Sequence, residues 1–161
     1  MLGPDEWIIG EFSRLVDDRH RLALPTELAG RLGAEDEECI LAKERFGCLS
    51  LWNAAQWQQR IDETLELVRQ RIRAGRLAEQ IEQVQLFGRL LSSRYAKVRL
   101  GERSRLVIPE GFRDFLAVEP NSEVMVIGAV VCVEIWSPRA WRAHLRRRMP
   151  EFGSLVHELA G

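Results

Sequence analysis

Displaced by 84 residues, the chain falls on itself: Arg19, Arg21, Leu22, Pro25, Leu32, Cys48, Trp52 and Trp57 recur without a gap as Arg103, Arg105, Leu106, Pro109, Leu116, Cys132, Trp136 and Trp141. Between these identities the apolar character is kept too, with Leu24 against Ile108, Ile40 against Val124, Leu49 against Val133 and Leu51 against Ile135. One structural unit is therefore present twice. A repeat core of under roughly fifty residues buries too little surface to stand alone, so the two copies are expected to share one core. The function is expected to reside in what both copies hold in common.

Within the first copy, Glu11 to Val16 reads as a strand, Asp17 to Arg21 as a polar turn and Leu22 to Leu24 as the returning strand. Pro25 removes a backbone donor, Leu28 and Leu32 then fall one helical turn apart, and Gly33 stands where a left-handed helix cap belongs. After the acidic run Glu35 to Glu38, two further strands, Cys39 to Ala42 and Cys48 to Trp52, flank a turn. The second copy repeats the order: Tyr95 to Leu100, the turn Gly101 to Arg105, Leu106 to Ile108, a helix carrying Phe112, Phe115 and Leu116, then Val124 to Gly128 and Val131 to Trp136. That last pair alternates poorly, as strands covered on both faces do. Ser137-Pro138 supplies an N-cap and first-turn proline for a helix with Trp141, and Asn53 is the equivalent cap.

Between the copies Trp57, Ile61, Leu65, Val68 and Ile72 form one helical stripe, and Leu77, Ile81, Val84 and Leu91 form another beyond Gly75. The expected organisation is a first repeat over residues 8–57, a two-helix insert over 58–92, a second repeat over 93–145 and a tail over 146–161. The apolar stripes exceed what one small barrel covers, so packing on the barrel or on a second copy is expected. For the tail after Pro150 a short docking helix and a mobile end both stay open. Arg142, Arg146, Arg147 and Arg148 gather at the end of the last repeat helix, where cations face the carbonyl end of its dipole; contact with nucleic acid is the other reading.

The formal charge is −1 with a pI near 6.3, so any binding of nucleic acid must come from local clusters rather than a global basic field. The start, MLGPDEW, carries acids where a secretory signal carries positive charge, and the apolar run Val124 to Val133 falls short of the ~20 residues that span a bilayer. A soluble cytoplasmic protein with no membrane partner is expected. Cys48 and Cys132 sit at equivalent apolar positions and read as small core residues in a reducing compartment. His20, His144 and His157 have no ligand-spaced partner, so no metal is expected. No phosphate loop or nucleophile elbow appears, and neither an enzyme activity nor a catalytic residue, cofactor or small-molecule substrate is expected.

The polar element common to both copies is the turn, DDRHR followed by LALP and GERSR followed by LVIP. Each presents two arginines two residues apart, Arg19 with Arg21 and Arg103 with Arg105, and Arg14 and Arg99 extend the basic surface. A hairpin is narrow enough to enter the major groove, and the guanidinium fork grips phosphate oxygens or guanine bidentately. The alternative is that these arginines keep an exposed edge soluble and pair with Asp17, Asp18 and Glu102.

The order of strand, D-x-x-x-R turn, short strand, proline, helix and G-C-L-x-L-x hairpin, then a helical insert and a second copy ending V-E-I-W-S, resembles the MraZ family over about residues 8–145. That family comprises bacterial transcriptional regulators of the division and cell-wall cluster. The resemblance implies an α+β fold, a pseudo-twofold swapped-hairpin (AbrB-like) β-barrel made within one subunit, a ring-like homo-oligomer, and binding to repeated boxes of double-stranded DNA in the nucleoid. Asp17 and Arg21 match the ends of the family's first motif, Arg19 its common lysine and Arg105 the arginine of the second copy; with Arg103 and Arg14 from the reading of the turns, the expected DNA-contacting residues are Arg14, Arg19, Arg21, Arg103 and Arg105, with Asp17 as the turn's support. Where the family turn carries glycine, this chain has His20 and Ser104, and Gly101 replaces the second aspartate. A type I turn closed by a left-handed residue prefers glycine there, and another residue costs ~1 kcal/mol.

Overall fold

The computed structural model describes residues 7–33 and 38–161; the acidic start and Glu35 to Glu37 lie outside the described residues. The first copy supplies β1 (Ile8–Val16), β2 (Arg21–Ala23), α1 (Thr26–Leu32), β3 (Glu38–Arg45) and β4 (Cys48–Asn53). The insert is α2 (Ala54–Arg73) and α3 (Ile81–Arg94). The second copy supplies β5 (Tyr95–Arg99), β6 (Arg105–Val107), α4 (Glu110–Leu116), β7 (Ser122–Val130), β8 (Val133–Trp136) and α5 (Pro138–Arg148), and α6 (Phe152–Ala160) follows.

The strands form one antiparallel sheet in the order β5-β3-β4-β8-β7-β1-β2-β6, and a bridge between Gly101 and Arg105 joins its two edges, so the barrel is nearly closed. The copies exchange hairpins: β1 lies along β7 from Ile8↔Val130 to Val16↔Ser122, and β5 lies along β3 from Glu38↔Arg99 to Ala42↔Tyr95. Two pairs join equivalent strands, β2 with β6 and β4 with β8, and they stand half a turn apart around the eight-stranded barrel. A pseudo-twofold axis runs through both. The fold is the α+β swapped-hairpin barrel, and the shared core follows from the exchange. Inward residues of both copies, such as Val16, Leu22, Leu49, Leu106, Val126 and Ile135, join Leu28 and Leu32 of α1 and Phe112 and Leu116 of α4 in one buried cluster. Neither copy holds that cluster alone.

The local chemistry explains the element ends. Gly33 caps α1 at φ 69°. The Asn53 side chain accepts the amides of Ala55 and Gln56, and the Ser137 hydroxyl accepts that of Ala140 with Pro138 in the first turn of α5. One alignment drawn from the sequence is corrected. β3 carries a bulge between Lys43 and Arg45, while its counterpart β7 runs regularly against β8. Upstream of the bulge the offset is therefore one residue larger: Cys39 and Leu41, not Ile40, share the buried core cluster with Val124 and Val126. Ile40 takes the opposite face, because side chains alternate along a strand. The last strand also starts later than Val131, at Val133, after Val130 turns at φ 68°.

The outer face of β4 and β8 is covered as well. Cys48 faces Trp136 and Ser50 faces Glu134 across the ladder. Trp57 of α2 packs on Trp52 at 5.4 Å between ring centroids, and Trp141 of α5 packs on Trp136 at 5.2 Å. These pairs fasten each helix to the strand before it. The side chain of Trp136 donates to Glu134 at 3.0 Å and that of Trp52 to Ser50 at 2.8 Å, so the buried indole and its half-buried counterpart both keep their N–H satisfied. Cys39, Cys48 and Cys132 are all buried and outside any disulfide.

α5 does not end in solvent: a 3-10 turn at Met149–Glu151 carries it into α6, and Arg148 pairs with Glu151 at 2.8 Å. Arg146, Arg147 and Arg148 fall in the last turn of α5, at its carbonyl end, where the sequence placed them. None of the helices among the described residues is long and apolar enough to cross a membrane.

Candidate nucleic-acid interface

The first turn is built around Asp17. The amide of His20 donates to the Asp17 carbonyl at 3.1 Å, closing the turn, and His20 adopts the left-handed conformation at φ 58°. One carboxylate oxygen, Oδ1, accepts the amides of Arg19 at 2.9 Å and Arg21 at 2.8 Å, and Oδ2 accepts Nε of Arg21 at 2.7 Å. These bonds, that of the Arg21 amide foremost, hold the carboxyl of Asp17 below the usual carboxylate range, although desolvation opposes them. Asp17 thus supports the turn through its amides, as expected of an Asx-type residue.

The second turn is made differently. Gly101 has no side chain to accept amides; its own N–H donates to the Arg105 carbonyl at 2.8 Å. Two successive residues, Arg103 at φ 60° and Ser104 at φ 55°, take the left-handed conformation. Two non-glycine residues there carry about twice the local backbone cost of the single His20, roughly 1–2 kcal/mol each. The first turn is consequently the better supported of the two.

The barrel then brings the turns together. β2 pairs with β6 in the register Arg21↔Val107, Leu22↔Leu106 and Ala23↔Arg105. Leu22 and Leu106 point into the core, so alternation puts Arg21, Ala23, Arg105 and Val107 on the outer face. Arg21 and Arg105 are diagonal neighbours there, roughly 8 Å apart at the backbone. Each turn abuts the other copy's strand end: the Leu24 amide donates to the Ser104 carbonyl at 3.0 Å, and the Ile108 amide to the His20 carbonyl at 2.9 Å. Arg19 and Arg103 are exposed at opposite ends of this ribbon. Arg14 departs from the group: it lies on the same face of β1 as Phe12 and Val16, its guanidinium 5.3 Å from the Phe12 ring centre and donating to the Ser13 carbonyl at 2.8 Å.

Arg21 is half-exposed and only its Nε is engaged, leaving the outer edge of the guanidinium fork open. The ribbon stands across the barrel from the β4 and β8 face that α2 and α5 cover. It is therefore an uncovered cationic surface with a near-twofold layout. Val107, 51% exposed beside Arg21, was not singled out from the sequence; the alternation around Leu106 was the available signal. The described residues hold no cluster of histidine, cysteine and carboxylate groups suited to a metal.

Comparison with known proteins shows likeness to one named group. The model of the family described as "MraZ protein, putative antitoxin-like" matches residues 96–153. The protein named transcriptional regulator MraZ of Heliobacterium modesticaldum is 26% identical over 94% of this chain and 95% of its own. Its namesakes from Caldicellulosiruptor saccharolyticus and Roseiflexus castenholzii are 25% and 29% identical, over 86% and 83% of either chain. The chain is thus similar to MraZ proteins over most of its length. Likeness to these MraZ proteins extends across both repeats and the insert. Among solved structures, the solution structure of PHS018 from Pyrococcus horikoshii superposes with a TM-score of 0.33 at 13% identity over 81% of this chain and 96% of that one, too loose a likeness to build on.

Proposed function

We propose that this protein is a DNA-binding transcriptional regulator that grips repeated promoter boxes through the β2 and β6 ribbon and its two turns, acting as a homo-oligomer in the cytoplasm at the nucleoid. The observation that carries the reading is the ribbon itself, with Arg21 and Arg105 on one outer face and Arg19 and Arg103 exposed at its ends. Guanidinium groups at this spacing suit phosphate oxygens and guanine edges. Relatives named as transcriptional regulators support the class. Arg21 carries most of the contact, because Asp17 fixes its backbone and aims its side chain. Arg14 contributes least, given its place beside Phe12. Linking several weak modules raises effective concentration, so an array of boxes is held far more tightly than one.

One observation favours a second reading, an oligomeric scaffold of the same fold without specific DNA binding: Arg21 already has an anionic partner in Asp17. Fluorescence anisotropy on DNA from upstream of the protein's own operon separates the two. Binding should weaken steeply with salt as counterions are released, and Arg21→Ala should lose about 1–3 kcal/mol of affinity while its melting temperature stays at the parent value. Equal binding by Arg21→Ala and the parent at two salt concentrations would favour the scaffold.

A further inference from the structure

A lysine stands on β3 where the barrel calls for an apolar residue. The inward row of that strand runs Cys39, Leu41, Lys43. The first two belong to the core cluster, and Lys43 faces Leu49, another member of it, across the ladder to β4. The Lys43 side chain is half-buried, with its ammonium 5.0 Å from the ring centre of Phe112 and 5.8 Å from that of Phe115, both on α4. Phe46 stacks on Phe115 at 4.8 Å between centroids and braces that ring. Among the described residues Lys43 has no anionic partner. Two ring faces offset only part of the cost of drawing an ammonium out of water.

The surroundings of Lys43 form a cleft. β5 begins at Tyr95, opposite Ala42, so beyond that pair the edge of β3 has no strand beside it. A cavity of about 500 Å³ opens there between α3, β3 and α4, with Phe87, Leu90, Leu91, Tyr95 and Phe115 as its apolar wall. Small-ligand pockets have this size and this lining. The other polar groups at the rim are already matched. Arg94 donates from Nε to the Lys43 carbonyl at 3.1 Å and from Nη2 to Glu44 at 3.4 Å, and Glu44 also accepts the Ser50 hydroxyl at 2.5 Å. Of the two cations in the lining, Lys43 is the one without an anion. We propose that the cleft binds a small amphiphilic monocarboxylate, its carboxylate on the Lys43 ammonium and its hydrocarbon body against Phe87, Leu90 and Leu91. The wall selects an apolar body, and the single unmatched cation selects a single negative charge. Glu44 beside it repels a dianion such as a phosphate monoester. This inference goes beyond DNA binding and needs neither DNA nor association of copies.

The test is isothermal titration calorimetry of the full chain with butanoate, hexanoate and octanoate. Octanoate should saturate one site per chain, and affinity should rise about two- to fourfold with each added methylene. 1-Octanol and octylamine should bind at least about tenfold more weakly than octanoate, because neither supplies an anion for Lys43. Lys43→Met keeps the length of the side chain and removes its charge. It should lose about tenfold or more in octanoate affinity, leave 1-octanol binding unchanged and unfold no earlier than the parent. Leu90→Glu, on the exposed side of the wall, should also lose octanoate while Lys43 stays in place. The absence of saturable binding at millimolar octanoate would overturn the proposal. So would equal affinities for octanoate and 1-octanol, or for octanoate in the parent and Lys43→Met, either of which marks unspecific apolar adsorption. A parent that ignores octanoate but whose mass in light scattering falls with Leu90→Glu would give the cleft to a second copy of the chain and overturn the ligand.

Discussion

Trp136→Ala tests the claim that the tryptophan pairs are fasteners rather than base-stacking platforms. Trp136 is 2% exposed, in contact with Cys48, Ile127, Met125 and Trp141 on the outer face of the barrel. Burying about 150–250 Å² of indole at ~25 cal/mol per Å² gives roughly 4–6 kcal/mol as an upper figure. The substitution also removes the ring contact with Trp141 at 5.2 Å and leaves Glu134 without its indole donor. Partial collapse of the cavity offsets some of this, so a loss of ~3–5 kcal/mol is expected. For a chain of this length that is a fall in melting temperature of roughly 6–20 °C. The pseudo-symmetric control is Trp52→Ala. Trp52 is only half-buried, so its truncation should cost about half as much. Urea unfolding followed by circular dichroism at one fixed protein concentration measures both, since association would otherwise shift the midpoint. Equal losses, or a loss under about 1 kcal/mol for Trp136→Ala, would refute the packing account. A stable Trp136→Ala that no longer binds DNA would refute the structural role itself.

The Asp17 carboxyl should titrate below its ordinary 3.8 in a carbon-detected NMR titration, and Arg21→Ala should move the midpoint upward. Because its folded value is depressed, Asp17 stabilises the turn fully above the unfolded value near 3.8 and loses that effect only as pH falls through the folded value; binding that falls between pH 7 and pH 5 would implicate another group. His20→Gly relieves the left-handed strain but frees the unfolded chain, so stability should change by less than about 1 kcal/mol, whereas β-branched His20→Val should destabilise by roughly 1–2 kcal/mol in the same unfolding assay. Burial pushes the Cys132 thiol up to about 12 and raises that of Cys48 as well. Ellman's reagent should therefore label neither in the native protein at neutral pH and both on unfolding; fast native labelling would contradict the covered outer face.

The sequence made the repeat, the helix caps at Asn53 and Ser137 and the shared core legible because those features rest on local chemistry and conserved spacing. The β3 bulge escaped for a physical reason. The first copy's connection from Leu32 to Cys39 is one residue shorter than that from Leu116 to Val124, and the bulge at Glu44 restores the count before Cys48. Identities on either side therefore keep one offset while the strand between them changes face. The candidate site was half legible. Arg-x-Arg turns are visible in a string of letters, but their union on one ribbon depends on three-residue strands pairing across the repeats, and strands so short carry no periodicity of their own.

The exchange of hairpins also dictates when the molecule can fold. β1 takes as its longest partner β7, whose first residue, Ser122, lies 106 positions beyond Val16, and β2 waits for β6. During synthesis the first copy emerges with two strands whose edges have no complement until the second copy follows. Closing so long a loop before any ladder forms makes barrel assembly slow and late, and it keeps the N-terminal hairpin dependent on the rest of the chain throughout translation.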